Sequence, residues 1–210
     1  MSDRRPIASR NSKLAARIAR HLAERGIAPN RISQASMAFA GVAGAAFWLS
    51  GATSGFLYAM CLVIAALGCQ FRLLCNLFDG MVAVEGGRAE LDGPFWNEAP
   101  DRVADTLILV GIGLGTGNAA LGWASAALAI GTAYVRALGS AFGQPADFGG
   151  PMAKQHRMAV ATLGALVAIP LPTVLGLPTL SLALWIIALG SGLTLLRRSR
   201  GILRSLNAQN

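Results

Sequence analysis

The sequence predicts an all-α integral membrane protein, with six transmembrane helices preceded by an amphipathic interfacial helix. Three observations carry this. The 210 residues are 54% hydrophobic and only 13% charged, with mean hydropathy +0.52, too apolar for a water-exposed domain of this length. Six apolar runs are long enough to approach or cross a hydrocarbon layer of about 30 Å. The basic residues punctuate those runs instead of forming a face. The net charge of +8 would suit a nucleic-acid ligand, but without a basic face none is expected.

Residues 1–32 form a basic leader. Some thirty mostly polar and basic residues precede the first apolar run, so a secretory signal is not expected. Within it, SRNSKLAARIARHLAERGIAPN reads as one short helix. Asn11 or Ser12 can cap it and Gly26 can end it. Leu14, Ile18 and Leu22, with Ala15 and Ala19, form a stripe at spacing four, while Lys13, Arg17, Arg20 and Glu24 fall elsewhere. That pattern suits a helix on the membrane surface with its basic face toward anionic headgroups. An ordinary basic leader that only sets topology is the simpler alternative.

Residues 33–196 hold the spans, near 33–51, 55–78, 95–116, 119–142, 158–176 and 178–196. GATSG, an acidic stretch, GTGNAA, a polar loop from Gly143 to Arg157 and an uncharged Pro/Gly turn around Leu171 to Pro178 separate them. Residues 197–210 are a basic tail. Arg4 through Arg31, Arg88, Lys154 and Arg157, and Arg197, Arg198, Arg200 and Arg204 all fall on alternate ends, and the other connections carry no Lys or Arg. By the positive-inside rule both termini and the acidic stretch face the cytoplasm, in a bacterial plasma membrane. Cys61, Cys69 and Cys75 share one apolar run, with neither the spacing nor the context of a disulfide framework or a zinc site, so they are expected to be small apolar packers.

The chemistry concentrates in NLFDGMVAVEGGRAELDGPFWNEAPDRVAD, Asn76 to Asp105. Arg72, Asn76 and Asp79 share a face at the end of the second span, and Asn97, Asp101 and Asp105 share one at the start of the third. Two helices joined by a short loop are expected to be neighbours, with these faces meeting at the membrane boundary. Ionisable groups are expensive there and point to function. Hard carboxylate and amide oxygens suit magnesium or manganese, ions that keep waters and also bind phosphates. Gly80, Gly86, Gly87 and Gly93 allow close backbone approach. Glu85, Glu90 and Asp92 lack a helical partner pattern and are read as helix capping and solvated loop.

These residues resemble the signature of the CDP-alcohol phosphatidyltransferases, D-x-x-D-G-x-x-A-R, a spacer, then G-x-x-x-D-x-x-x-D. Asn76-Leu-Phe-Asp79-Gly80-Met-Val-Ala83-Val84 aligns with the first half and Gly93-Pro-Phe-Trp-Asn97-Glu-Ala-Pro-Asp101 with the second. The resemblance extends to the plan of surface helix and six spans. It implies a transferase that moves a phosphatidyl group from a CDP-linked lipid, most simply CDP-diacylglycerol, to a small polar alcohol, with release of CMP. It implies a divalent metal, Mg2+ or Mn2+, held at Asp79, Asn76, Asn97 and Asp101, with Asp101 also the base for the acceptor hydroxyl, and donor contacts at Gly80, Ala83 and Gly93. Membrane lipids are implied partners, and a homodimer is compatible with the family.

The chain departs from that signature at three places: Asn76 and Asn97 stand for aspartates, and Val84 for the arginine. Four carboxylates balance two dications; Asp79 and Asp101 balance one. Arg72, a turn before Asn76, can take the place of the second cation toward diphosphate oxygens, or it is a topology anchor that snorkels. Glu98 and Asp105 are candidate replacement ligands. Lys154 and Arg157 can bind an acceptor's or a headgroup's phosphate, or they only flank a span. His21 and His156 have no second His or Cys near them and are not expected to ligate metal. Two other classes compete: a catalytically silent membrane protein that retains nucleotide or lipid binding, and a small channel or carrier. Against the latter, the ionisable residues gather at one membrane face and no broken helix pair is evident. The acceptor alcohol is not legible.

Overall fold

The computed structural model describes residues 12–85 and 91–208. Seven helices dominate them: α1 (Lys13–Glu24), α2 (Pro29–Ser50), α3 (Gly55–Glu85), α4 (Gly93–Gly115), α5 (Ala119–Ala141), α6 (Lys154–Ala168) and α7 (Thr179–Asn207). Four of them, α2, α3, α5 and α7, are long and apolar enough to cross a membrane. Sequence positions such as Asn11, Gly86, Gly87, Arg88 and Glu90 lie outside the described residues.

The helix ends follow local chemistry. Gly26 adopts φ 72°, and the amides of Gly26 and Ile27 donate to the carbonyls of Ala23 and Leu22. That is a Schellman closure, which requires a left-handed residue at this place. The expected side-chain cap at Ser12 is absent; only its carbonyl serves, accepting from the Ala16 amide. α6 ends at Ala168 rather than running on to 176: Ile169 keeps helical dihedrals, but Pro170 and Pro172 have no N–H with which to continue the ladder. The turn after α6 is a small antiparallel hairpin, Thr173–Val174 against Leu177–Pro178. Leu175 and Gly176, at φ 53° and 79°, make the two-residue turn of primed type that hairpins prefer. α7 continues eleven residues past 196, since a helix ends where its hydrogen bonds end and not where its apolarity does.

The expected contact between the second and third spans is only partly realised. α2 lies against both α3 and α4, α5 against α4 and α7, and α6 against α3 and α7. Glycine explains the position of α2. A Cβ on Gly44 would meet the Leu107 carbonyl, one on Gly111 would meet the Gly44 backbone, and Gly51 and Gly115 are in the same relation, each under 3.0 Å. Small residues let membrane helices approach at backbone distance. Gly111→Val is therefore expected to destabilise the protein by about 1–3 kcal/mol through overpacking. Thermal unfolding in detergent checks this, with Gly41→Ala, which meets nothing within 4 Å, expected to stay near the parent.

The interior is an alanine-rich core with Phe47, Leu62, Ile108, Ile112, Met158, Leu184 and Ile187 fully buried. Buried Ser36, Ser50, Ser125, Thr132 and Thr194 return their hydroxyls to carbonyls three or four residues back, which satisfies them without water. The outside is equally apolar: Phe56, Leu57, Leu67, Trp123, Leu163, Leu189 and Leu193 are exposed, far more greasy surface than a water-facing protein tolerates. The stripe predicted on α1 divides in two. Ala15 and Ala19 pack on Met81 and Val82 of α3, whereas Leu14 and Ile18 remain exposed. Cys61, Cys69 and Cys75 are free thiols.

Candidate active site

The polar residues meet at one end of the bundle. The contacts establish this pairwise: the start of α2 reaches late α3, late α3 reaches early α4, and early α4 reaches late α5. The start of α6 reaches early α4, and late α7 reaches α5. Chain direction alternates between these helices, so six helices bring one end each to the same place.

Asp79 on α3 is buried and satisfied on both oxygens. The Ser33 hydroxyl of α2 donates to Oδ2 at 2.7 Å, and the Gly80 amide donates to Oδ1 at 2.5 Å. Asp101 on α4 is held from three sides. Asn76 Nδ2 donates to its Oδ1 at 2.7 Å, Arg72 Nη2 lies 3.3 Å from the same oxygen, and Lys154 Nζ sits 2.5 Å from Oδ2. Arg102 adds a longer contact at 3.6 Å. Pro100 immediately before Asp101 lacks the N–H that would pair with the Trp96 carbonyl, so the helix is loosened on the turn that presents the carboxylate.

Behind Asp101 the charges continue. Asp105 accepts from Arg72 Nη2 at 2.8 Å on Oδ1 and from Arg157 Nη2 at 2.6 Å on Oδ2. Arg157 spends its remaining nitrogens on the Met152 carbonyl at 3.1 Å and on Asp105 and Thr132. The result is a chain of alternating sign, Arg157–Asp105–Arg72–Asp101–Lys154, threaded through α6, α4, α3, α4 and α6 again. Arg198 of α7 ties the other side of Thr132 through its carbonyl at 2.7 Å and reaches the Gly149 carbonyl at 3.0 Å.

Several sequence expectations change on this geometry. Arg72 is 0% exposed. It neither snorkels nor faces solvent-borne phosphate; its charge acts on Asp101 and Asp105, and its Nε and Nη1 have no acceptor among the described residues. Arg157 is buried with every nitrogen engaged, so it holds α6 to α4 instead of offering a phosphate site. Asp105 is 1% exposed with both oxygens bonded to arginines, which sets it behind Asp101 as the partner of Arg72 and Arg157. Glu98 is half exposed and bound to Arg136 at 2.6 Å and to Arg102 at 3.4 Å. Asn97 is exposed a turn before Asp101, and Gly93 opens the start of α4, where an added Cβ would meet nothing within 4 Å. Gly80 and Ala83 are half-buried on the last turns of α3. His156 contacts the Pro151 carbonyl at 3.0 Å.

Sequence reasoning missed Ser33, Asn30, Arg102, Arg136 and Thr132. A signal existed for the first two: Asn30, Ser33 and Ser36 recur at spacing three, on one helical face, at the start of an apolar span. Asn30 Nδ2 and Trp96 Nε1 both donate to Asp92, at 3.1 and 2.9 Å. Asp92, read as helix capping and solvated loop, stands at the N-cap position of α4 without capping it by its side chain, and clasps the starts of α2 and α4 together.

The donor set can be tested for a metal. Among the described residues, no three His, Cys, Asp or Glu side chains converge to hold one. Two buried carboxylates stand at this end, Asp79 on α3 and Asp101 on α4, with Asn76, about one turn before Asp79, bonded to Asp101. Asn76 donates through its nitrogen to Asp101, which leaves its carbonyl oxygen free, and Asn97 offers another neutral oxygen from the same face of α4. Two anionic and two neutral hard oxygens fit one ion of the magnesium or manganese kind.

The fold is a known one. The chain superposes on the crystal structure of Mycobacterium tuberculosis phosphatidylinositol phosphate synthase with CDP-DAG bound, with TM-score 0.74 and 23% identity, covering 91% of this chain and 94% of that one. It matches the same enzyme in complex with manganese and citrate with TM-score 0.72 and 22% identity, over 90% and 88% of the two chains. In sequence it is 29% identical over 147 residues to phosphatidylinositol phosphate synthase of Mycolicibacterium smegmatis, covering 63% of this chain and 62% of that protein. The chain thus spans under two thirds of the length of that curated relative. No protein-family model matches it. The sequence relationship and the shared fold agree with the resemblance carried by the motif.

Proposed function

We propose that the protein is a CDP-alcohol phosphatidyltransferase of the bacterial plasma membrane, which transfers a phosphatidyl group from a CDP-linked lipid to a small polar alcohol. The observation that carries this is the pair Asp79 and Asp101, on facing helices at one end of an apolar bundle, with Asn76 joining them. The relatives support the donor class, since one solved homologous fold is bound to CDP-DAG and another holds manganese. A site at the membrane boundary suits such a reaction: acyl chains remain in lipid while cytidine and acceptor arrive from water. In this reading α4 and α6 join α2, α3, α5 and α7 as spans, with α6, at about 22 Å, the shortest. α1 lies on the surface with Leu14 and Ile18 toward lipid. The polar end is cytoplasmic, as its basic residues require.

Asp79, Asp101, Asn76 and Asn97 would hold one divalent ion, which when bound neutralises the donor's diphosphate and eases departure of CMP. The chain's own groups do the rest. Asp79 is oriented by Ser33 and the Gly80 amide. Gly93 leaves room for the donor at the head of α4. Asp101 accepts the proton of the acceptor hydroxyl as that oxygen forms its bond to the lipid-side phosphorus and the bond from phosphorus to the CMP oxygen breaks. Arg72, held behind Asp101, fixes its rotamer and charge.

A second reading keeps one specific observation. Both oxygens of Asp101 are already held by Arg72, Asn76 and Lys154, as suits a silent protein that binds nucleotide or lipid without turnover. Incubation of the purified protein with CDP-diacylglycerol, Mn2+ and a panel of small alcohols separates the two. CMP release that depends on the alcohol is the expected result. Binding of the CDP-lipid with no CMP from any alcohol would establish the silent protein.

A further inference from the structure

Asp101 has three close partners, and they are not alike. Arg72 is 0% exposed and shares the same Nη2 between Asp101 and Asp105, with the shorter contact to Asp105. Asn76 is neutral and comes from the body of α3. Of the two charged partners, Lys154 is the partly open one, with its side chain 30% exposed, and its contact is the shortest of the three, at 2.5 Å to Oδ2. It is the first residue of α6, where the positive end of the helix dipole makes a cation unwelcome. Ala153 before it supplies no side-chain cap. Lys154 therefore gains little from its own helix and is kept in place by its anionic partner. Asp79, the other carboxylate of the candidate metal site, lies about one turn beyond Asn76, which shares Asp101 with Lys154.

We infer that Lys154 is an exchangeable counter-cation: it occupies the metal-facing oxygen of Asp101 in the free protein and yields that oxygen to the incoming dication. The inference rests on the proposed transferase site and adds a built-in competitor to it. A flexible four-carbon stem with three rotating donors can make this move; a planar, buried guanidinium such as Arg72 cannot. Once released, the ammonium stays beside the helix terminus, where the nearest new anion is a phosphate of the CDP-lipid that arrives with the ion. The exchange also reconciles a carboxylate saturated with donors with a role as base. Release of Lys154 returns a lone pair of Oδ2 to the site, while Arg72 and Asn76 keep Oδ1 in register. The structural reason for such a device is charge. With Asn at 76 and 97, the site holds too few carboxylates to attract an ion over a lysine unless the diphosphate comes too, so metal and donor bind together.

The test is Mn2+ binding to the detergent-purified protein without any lipid donor, read by calorimetry. Lys154→Met and Lys154→Gln are each expected to tighten Mn2+ binding about tenfold or more relative to the parent, because Asp101 Oδ2 then keeps only the longer contact to Arg102. Lys154→Arg, which keeps a cation, is expected to remain near the parent. When a water-soluble CDP-glycerol analogue is added, the parent's Mn2+ affinity should rise more than that of the Met and Gln variants, since only the parent has an ammonium to move onto phosphate. Unchanged or weaker Mn2+ binding in both neutral variants, with unfolding temperatures near the parent, would overturn the inference. So would absence of Mn2+ binding in parent and variants alike. Neither result bears on alcohol-dependent CMP release, which tests the transferase reading by itself.

Discussion

Asp105→Ala is expected to cost about 3–5 kcal/mol of stability, the usual penalty for breaking a buried ion pair by removing one partner. The carboxylate is 1% exposed and lies between two buried arginines. Its removal leaves Arg157 with only neutral acceptors and Arg72 with Asp101 alone, and α6 loses its main polar tie to α4. The charges, not the shape, set the cost. Asp105→Leu combined with Arg157→Met should therefore recover much of the loss, because an apolar pair of similar volume needs no desolvated charge. A double-mutant cycle on thermal unfolding reads the coupling directly, and values of about 0.5–3 kcal/mol are usual for residues in contact. A loss under about 1 kcal/mol for Asp105→Ala would mean that water or another acceptor reaches the arginines, and the charge chain would not be what holds this end of the bundle.

Asp101→Asn is expected to reduce alcohol-dependent CMP release by at least about a hundredfold, the lower range for loss of a positioned general base. Asparagine keeps an oxygen for Asn76 and Arg72, so the fold should survive with an unfolding temperature close to the parent. Asp79→Asn should lose activity to a similar extent for a different reason: its two donors, Ser33 and the Gly80 amide, orient an anion that the amide no longer supplies. The same assay with both proteins separates these effects from misfolding. Normal turnover in either variant removes that residue from the mechanism.

The difference between the two aspartates on α4 illustrates what sequence carries and what it does not. Asp101 and Asp105 stand one turn apart on one face, and both were legible as candidates for the same chemistry. Their roles diverge because of residues far along the chain. Arg157, fifty-two positions away, claims Asp105; Ser33, forty-six positions before Asp79, orients that carboxylate. Spacing along one helix reveals a shared face, but it says nothing about which distant side chain will occupy it. The spans show the same division. Hydropathy located the long apolar helices and the short loops, because lipid solubility is a local property of sequence. It did not place α2 between α3 and α4, since that depends on four glycines, Gly44, Gly51, Gly111 and Gly115, meeting across two helices. The end of α7 was missed because four arginines stop an apolar run without stopping a helix.

The proposed reading turns on the two asparagines. Asn76 and Asn97 stand where the signature it resembles has carboxylates, and an amide of nearly the same shape removes negative charge but keeps an oxygen. Lys154, Arg72 and Arg102 surround what remains, so the site already contains more cationic than anionic charge around Asp101. Close placement of two dications there would require compensating charge that Asp79 and Asp101 do not supply. The measurement that tests this most directly is the stoichiometry of tight Mn2+ binding in the presence of a CDP-linked ligand. The account predicts about one ion per chain, rising toward two when both carboxylates are restored by Asn76→Asp with Asn97→Asp. Two equally tight ions in the unaltered protein would contradict it.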